Sequence, residues 1–404
     1  VATKSLTLYQ TDNTTFMAGI YIHIPFCKQR CIYCDFYSTT SQEKENRYIE
    51  AVCTELELRK QSLPDPVHTI YIGGGTPSLL NPASVKQLKD CMNRNYRVMP
   101  DLEFTVEANP DDISPEWLEA MSRIGVNRIS MGVQTFHDGH LKLLRRRHNS
   151  ERAIQAVHLC QEHGFRNISI DLIYGLPEQT LEEWKVDVAQ AIALNVQHLS
   201  AYALIYEENT ALWRMREQNM VQEADEELSL SMFEYLITEL KNNGFEHYEI
   251  SNFGLPGFHS RHNSSYWNDT PYLGCGASAH SFIGMERMYN TANIDHYIKD
   301  IMRCREENLP YNEVCHCEVL DRYEHYNDRI ITGLRTAAGL DLEKLEQDFG
   351  TELKNYCLKM AAPHLKENTL QITEENGHPQ GVLKLSHRGL FLSDGIMSDL
   401  LWVD

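Results

Sequence analysis

Three cysteines constrain this chain more than any other feature. Cys27, Cys31 and Cys34 stand in C-x3-C-x2-C spacing within YIHIPFCKQRCIYCDFYS, directly after a short β-branched run. Three thiolates on one short loop can hold three corners of a cubane iron–sulfur cluster and leave the fourth iron without a protein ligand. Zinc is the alternative. Structural zinc takes four closed ligands, commonly as two separated pairs. Here only His23 and Asp35 lie near enough in sequence to offer a fourth, at spacings foreign to the common zinc modules.

The rest of the composition narrows the setting. At 404 residues the chain can hold one large domain and a smaller one. Its formal charge is −20, and its basic run Arg145-Arg146-Arg147 spans only three residues, so nucleic acid is not an expected partner. Most of the 11 cysteines stand alone, as at Cys53, Cys91, Cys160 and Cys357. That is not a disulfide framework, and it points to reduced thiols in a cytoplasmic protein. No apolar run reaches the length of a membrane span, so direct membrane insertion is not expected. The Thr-rich, polar start lacks the apolar core of a signal peptide. Met17-Ala18-Gly19 reads as a natural start, and residues 1–17 as a disordered extension or tag.

From residue 20 to about 205, short apolar β-branched runs alternate with longer amphipathic stretches. The runs fall at residues 21–24, 69–72, 103–106, 128–131, 167–170 and 198–201. Helices are expected over 42–63, 82–95, 115–124, 150–163 (ending at Gly164 as a C′ glycine), 181–194 and 222–243. Strands alternating with helices imply βα units and a parallel sheet. We therefore expect an α/β fold: a partial (β/α)6 TIM-like barrel over 18–250, with a further strand near 247–250. A connecting segment would follow over 251–309, with an ordered loop at 251–275. The end of the chain, 310–404, reads as a smaller α+β, winged-helix-like domain.

Ligand-binding residues of a βα barrel sit where the strands end. Gly73-Gly74-Gly75-Thr76-Pro77 follows the second strand, Glu107 ends the third, Gln134 the fourth and Asp171 the fifth; Arg146 opens the next helical stretch. Glycines allow close backbone approach to a ligand, although a plain tight turn would look the same. Carboxylates can accept from ribose hydroxyls and ammonium groups, and arginine can pair with a carboxylate.

At the Cys triplet and the Gly-rich turn the chain resembles the radical-SAM superfamily. That resemblance implies a 4Fe–4S cluster on Cys27, Cys31 and Cys34 whose open iron chelates S-adenosylmethionine. An electron from the cluster would break the sulfonium bond to give methionine and a 5′-deoxyadenosyl radical, while the protein orients the reactants. YIHIPFC, GGGTPS, VEANP, GVQTF, DLIYGLP and SHRGLFLSDG together resemble the oxygen-independent coproporphyrinogen III oxidase-like family, from Gly19 to Trp402. This likeness implies Tyr21, Phe36, Gly74, Gly75, Thr76, Glu107, Gln134, Arg146 and Asp171 as S-adenosylmethionine ligands. Arg145 and Glu178 depart from the family pattern, which usually carries glycine there; neither change removes a ligand-binding group.

That family divides in two. Its oxidases carry a fourth cysteine two residues after the third, where this chain has Asp35-Phe36, and they have a longer arm before the first strand. The C-D-F pattern resembles the haem-chaperone branch, the HemW type, and RHNSSYW matches that branch's H-N-x-x-Y-W motif. Imidazole is a good axial ligand for haem iron, so the resemblance implies haem at His262, with Asn263, Tyr266 and Trp267 around it. The expected function is a haem chaperone that serves haem-accepting proteins and draws on an electron donor, as a monomer or homodimer. The alternatives are an anaerobic coproporphyrinogen III dehydrogenase and a radical-SAM enzyme on another substrate. No catalytic residue is assigned. Cys315-His316-Cys317 offers soft ligands too tightly spaced to chelate one metal, and reads as incidental.

Overall fold

Side-chain alternation at every second residue sorts the strands of this protein into two faces. The structure, a computed structural model, describes residues 17–375 and 377–403; the extension expected over 1–17 lies, apart from Met17, outside them. Six parallel strands stand side by side in chain order: β1 (Ala18–Ile24), β2 (Val67–Gly74), β3 (Val98–Ala108), β4 (Arg128–Gln134), β5 (Ile168–Tyr174) and β6 (His198–Ala203). One row of their side chains is aliphatic. Ile20, Ile22, Ile70, Ile72, Phe104, Val106, Ile129, Met131, Ile170 and Leu199 all enter the main core. The other row is polar and lines the lumen.

Helices cover the aliphatic face. They are α1 (Glu45–Leu58), α2 (Pro82–Asn95), α3 (Pro115–Ile124), α5 (Ser150–Glu162), α6 (Leu181–Ala193) and, after β6, α8 (Glu226–Asn242), whereas the short α4 (Asp138–Leu143), between β4 and α5, and α7 (Ala211–Glu217), between β6 and α8, bring Leu143 and Leu212 to a smaller separate core. Their starts are set locally. Asn81, Ser114, Asn149 and Thr180 accept from the first turns of α2, α3, α5 and α6, and Thr180 forms a reciprocal capping box with Glu183. Gly164 follows α5 with φ 84°, as its sequence position predicts.

The sheet does not stop at six strands. Beyond β6 the chain forms β7 (Glu246–Glu249) and β8 (Asn252–Gly254): β8 pairs antiparallel with β6, and β7 pairs antiparallel with the outer side of β8. Beside β1 lies β9 (Tyr272–Cys275), parallel to it. The short helix α9 (Arg261–Ser265) separates β8 from β9. The hairpin-connected β10 (His280–Ile283) and β11 (Glu286–Tyr289), then α10 (Ile294–Glu307) and β12 (His316–Val319), extend that edge. The loop expected over 251–275 is therefore two strands and a helix. These elements are three to five residues long, too short to show a period of their own, and their hydrogen bonds come from neighbouring strands.

The C-terminal unit packs α11 (Arg322–Leu334), β13 (Leu340–Asp341), α12 (Leu342–Lys366), β14 (Leu370–Glu375), β15 (His378–Leu385), α13 (His387–Leu390) and α14 (Ser393–Leu400) around its own core of Tyr326, Ile330, Leu353, Leu383 and Met397. It ties together the two ends of the large sheet. Arg287 of β11 pairs with Asp328 of α11. At the other end the Ile250 N–H donates to Arg335 C=O (3.1 Å) and the Ala337 N–H to Tyr248 C=O (3.0 Å).

A buried ion pair fastens α1 to this closure. Glu55 and Arg59, one helical turn apart and 3.0 Å from each other, are both fully buried. Arg59 also donates to Gly274 C=O and Ser281 Oγ, while Glu55 accepts from Gly276 N–H, Tyr297 and Asn290. Removing one partner strands the other charge in the core. Glu55→Ala is expected to destabilise the protein by about 3–5 kcal/mol, measured by chemical denaturation; a loss below about 1 kcal/mol, the range of an exposed pair, would contradict the buried network.

Candidate functional site

The cysteine loop leaves β1 at Ile24 and is pinned at both ends. The Thr39 N–H donates to Pro25 C=O (2.7 Å) and the Cys27 N–H to Thr39 C=O (2.9 Å). In between, Ile32 inserts into a satellite core with Leu144, Ile173, Leu176 and Leu212, so the loop is held by packing as well as by its ends. Thr76 Oγ1 approaches Cys27 Sγ at 3.6 Å and Arg146 Nη1 approaches Cys31 Sγ at 3.3 Å. Burial pushes the Cys27 thiol up and the Cys34 thiol to about 11. Among the described residues no three His, Cys, Asp or Glu side chains converge as ligands of a single ion. A cubane does not require that, since each thiolate takes a different corner iron.

The Gly-rich turn is shaped by its neighbours. Gly74 has φ +111°, and a Cβ there would lie 2.6 Å from the His23 ring. At Gly75 a Cβ would meet Phe26 C=O at 2.8 Å and Cys27 Sγ at 3.0 Å. Only glycine lets this turn lie against the cysteine loop. The Gly74 N–H donates to Glu107 Oε2 (2.9 Å) and the Tyr71 hydroxyl to Glu107 Oε1 (2.8 Å). Tyr21 donates to His23 Nδ1 (3.0 Å), because His23 Nε2 already donates to Tyr37 C=O (3.0 Å). Burial lowers the His23 pKa to about 4, so the ring is neutral.

Across the mouth, Arg146 lies over Gly132, donating to Gly132 C=O (2.5 Å) and Asn109 Oδ1 (3.2 Å). Its Nε is buried without a partner. Gln134 ends β4 with φ 72°, and Asp171 receives the Ser130 hydroxyl at 3.5 Å. Phe36 stands 67% exposed on the cysteine loop. The structure thus sets Gly75 and Thr76 against Cys27 and Arg146 against Cys31, with Glu107 bonded to Gly74, while Tyr21 reaches this end of the lumen through His23 and Asp171 stands on β5 beside Ser130. Sequence reasoning missed Tyr71, His23, Asn109 and Arg128. The signal for Tyr71, His23 and Arg128 was their alternate spacing on the strands that carry the expected ligands. Arg145 and Glu178, the two departures from glycine, have φ of 57° and 62°. Those left-handed positions explain why glycine suits them and cost a larger residue about 1 kcal/mol each.

The other expected site lies elsewhere. His262 projects from α9 into the opposite end of the lumen and is 1% exposed. Its Nδ1 meets Thr69 Oγ1 at 2.8 Å and its Nε2 meets the Tyr266 hydroxyl at 2.9 Å. The ring stacks on Tyr71, with centroids 5.2 Å apart. Burial lowers its pKa to about 3. Asn263 is tied to Ser260 through its N–H, and Trp267 lies under the Arg335 guanidinium. In this arrangement His262 is a plug whose two nitrogens are both engaged.

Comparison with known proteins agrees with this architecture. Residues 21–191 match the radical SAM superfamily and residues 320–392 the HemN C-terminal domain. Heme chaperone HemW of Bacillus subtilis (strain 168) is 35% identical over 95% of this chain and 99% of the relative. Heme chaperone HemW of Lactococcus lactis is 37% identical over 81% of this chain and 84% of the relative. The chain belongs to the HemW family. Among solved structures, coproporphyrinogen III oxidase (HemN) from Escherichia coli, a radical SAM enzyme, superposes with a TM-score of 0.80 at 25% identity, covering 95% of this chain and 89% of that one.

For this HemW-family chain the residues at the mouth suit an S-adenosylmethionine ligand on physical grounds. Two carboxyls await positive or hydroxyl groups, an orphaned guanidinium N–H awaits an acceptor, and a glycine cradle admits a ligand beside the thiols. The cradle can be tested. Gly75→Ala should lose most of its iron and acid-labile sulfide after anaerobic reconstitution while far-ultraviolet circular dichroism stays unchanged. Full retention of iron would show that the turn does not need its close approach to Cys27.

Proposed function

We propose that this protein is a haem chaperone built on a radical-SAM scaffold. It holds a 4Fe–4S cluster on Cys27, Cys31 and Cys34, binds S-adenosylmethionine at the mouth of the lumen, and passes haem to acceptor proteins in the cytoplasm. The observation that carries this reading is the end-to-end likeness to a named haem chaperone, joined to Asp35-Phe36 where oxidases carry a cysteine. A reduced cluster held by Cys27, Cys31 and Cys34 would supply an electron for reductive opening of the sulfonium. The protein's own residues do the positioning. Arg146 offers a guanidinium to the ligand's carboxylate, Glu107 and Asp171 accept from its ammonium or hydroxyl groups, and Tyr21 and Gln134 border the same space. Phe36, exposed on the loop, is free to close over an adenine ring. Delivery requires an acceptor and the cluster requires an electron donor, both of them proteins outside this chain.

Haem at His262 would require the ring to leave Thr69 or Tyr266, since neither nitrogen is free. The function itself is tested by two measurements on the cluster-loaded protein. Ferric haem should bind and transfer to an apo-haemoprotein, and coproporphyrinogen III with S-adenosylmethionine and reductant should yield no protoporphyrinogen by chromatography. Product formation would make it an oxidase despite Asp35-Phe36.

Ligand binding should depend on pH in a set direction. Burial raises the Glu107 pKa to about 7 and the Asp171 pKa to about 6. Only when ionised do both oxygens of each carboxyl accept and carry the charge that attracts an ammonium, so S-adenosylmethionine affinity should rise from pH 6 to pH 8, with proton release detectable by calorimetry. The stability of the ligand-free protein should follow the opposite trend. A carboxyl whose pKa rises on folding adds stability below its unfolded value, and that stability is lost as pH climbs through about 7. A flat affinity profile, or one unchanged in Glu107→Gln, would contradict the roles given to these carboxyls.

A further inference from the structure

The lumen-facing row of the sheet continues past β1 onto its extension. Strand pairing fixes which residues share that face. Tyr21 pairs with Gly274 of β9, Tyr272 of β9 with Phe282 of β10, His280 with Tyr289 of β11, and Tyr289 with His316 of β12. His280, Tyr289 and His316 therefore stand on the side of the sheet that Tyr21 and His23 occupy inside the barrel. Their rings form a stacked ladder: His280 on Tyr289 at 5.4 Å and 24°, Tyr289 on His316 at 4.6 Å and 15°. All three are exposed, and neither imidazole has a hydrogen-bond or ion-pair partner among the described residues. The ladder begins next to the mouth: at Gly276, just past the end of β9, a Cβ would lie 2.6 Å from His23 C=O.

We infer that this ladder is a haem-binding face, with His280 or His316 as the axial ligand. The inference rests on the haem-chaperone reading above and assigns its cargo a place. A bare metal ion asks for three or four protein ligands, and no such group exists among the described residues. Haem iron brings four porphyrin nitrogens and asks for only one or two more. A solvent-facing imidazole with a free nitrogen meets that demand at once, whereas His262 must first break a hydrogen bond in the lumen. Tyr289, flat between the two imidazoles and 42% exposed, presents its ring edge to a porphyrin face that the ligating imidazole meets. An open face also suits cargo that must leave again, because an acceptor can reach it.

The test uses the full chain and ferric haem. The wild type should bind one haem per chain with the Soret band and electron paramagnetic resonance signals of imidazole ligation. His280→Ala/His316→Ala should lose that signature and weaken binding by about tenfold or more, and added imidazole should restore the signature. The two single variants identify which ring ligates. His262→Ala should retain the imidazole signature. A double variant that keeps wild-type affinity and spectrum would overturn the site and leave the function standing. A wild type that takes up haem without saturation would overturn the site as well. A wild type that binds no haem would overturn the chaperone reading itself.

Discussion

A strand that buries one row of side chains under helices turns its other row into the space behind, and in β1–β6 that other row is polar. Parallel barrels commonly fill their interior with branched aliphatics. This one holds Tyr21, His23, Thr69, Tyr71, Glu103, Glu107, Arg128, Ser169, Asp171 and His198. Each polar group taken from water needs a partner inside, and the structure supplies most of them in layers. At the far end Glu103 accepts the Arg261 and His262 N–H groups at the start of α9, and His262 meets Thr69. In the middle His198 sits between Ser169 Oγ and the Tyr248 hydroxyl, each at 2.7 Å. Near the mouth Glu107 is held by Tyr71 and Gly74. The RHNSSYW segment thus has a structural task whatever ligand it meets: it stoppers a polar tube.

Where the layers stop being self-sufficient, the chemistry becomes visible. Arg146 Nε, Arg128 Nε and Nη1, and Thr105 Oγ1 are buried with no partner. Burial is also the leading cause of the raised Glu107 and Asp171 pKa values, and the Arg128 charge only partly opposes it. Groups left in this condition weaken the empty protein and strengthen whatever binds them, since their solvation has already been given up before the ligand arrives. Arg146 is oriented in advance by Gly132 C=O, Asn109 and Cys31. One side chain therefore spans from the cysteine loop to the end of β4, coupling the position of the thiols to that of the ligand's acceptor groups.

Legibility followed the length and periodicity of the elements. Strands of six to eleven residues and capped helices announced themselves, and the Cys triplet, Gly73-Gly74-Gly75 and the polar strand ends fell where a βα barrel would put them. Residues 252–275 did not, because β8, α9 and β9 take their stability from β6, β1 and Glu103 rather than from a pattern of their own. The same reason hid His280 and His316. They are 36 residues apart in sequence and meet only through the register of β10, β11 and β12. His262 shows the opposite limit. Its motif was plain, but a motif says nothing about whether both ring nitrogens are already engaged.

Closure of the sheet explains why one surface of that polar row stays open. Within the barrel the row faces other strands and α9, so it must satisfy itself. On β10–β12 it faces solvent, and water serves its donors and acceptors. An apolar row there would expose a flat, sticky edge, since all four residues of β12 are exposed. The strand pairs place polar and aromatic residues instead, Phe282 with Arg287 and Arg287 with Glu318 beside the ladder. Arg287 also anchors α11, whose far end reaches Ile250 at the other edge of the sheet. The contact that completes the ring therefore fixes the open face against the mouth of the lumen. A ligand lying on His280, Tyr289 and His316 would be held on the same continuous sheet as β1, from which the cysteine loop departs.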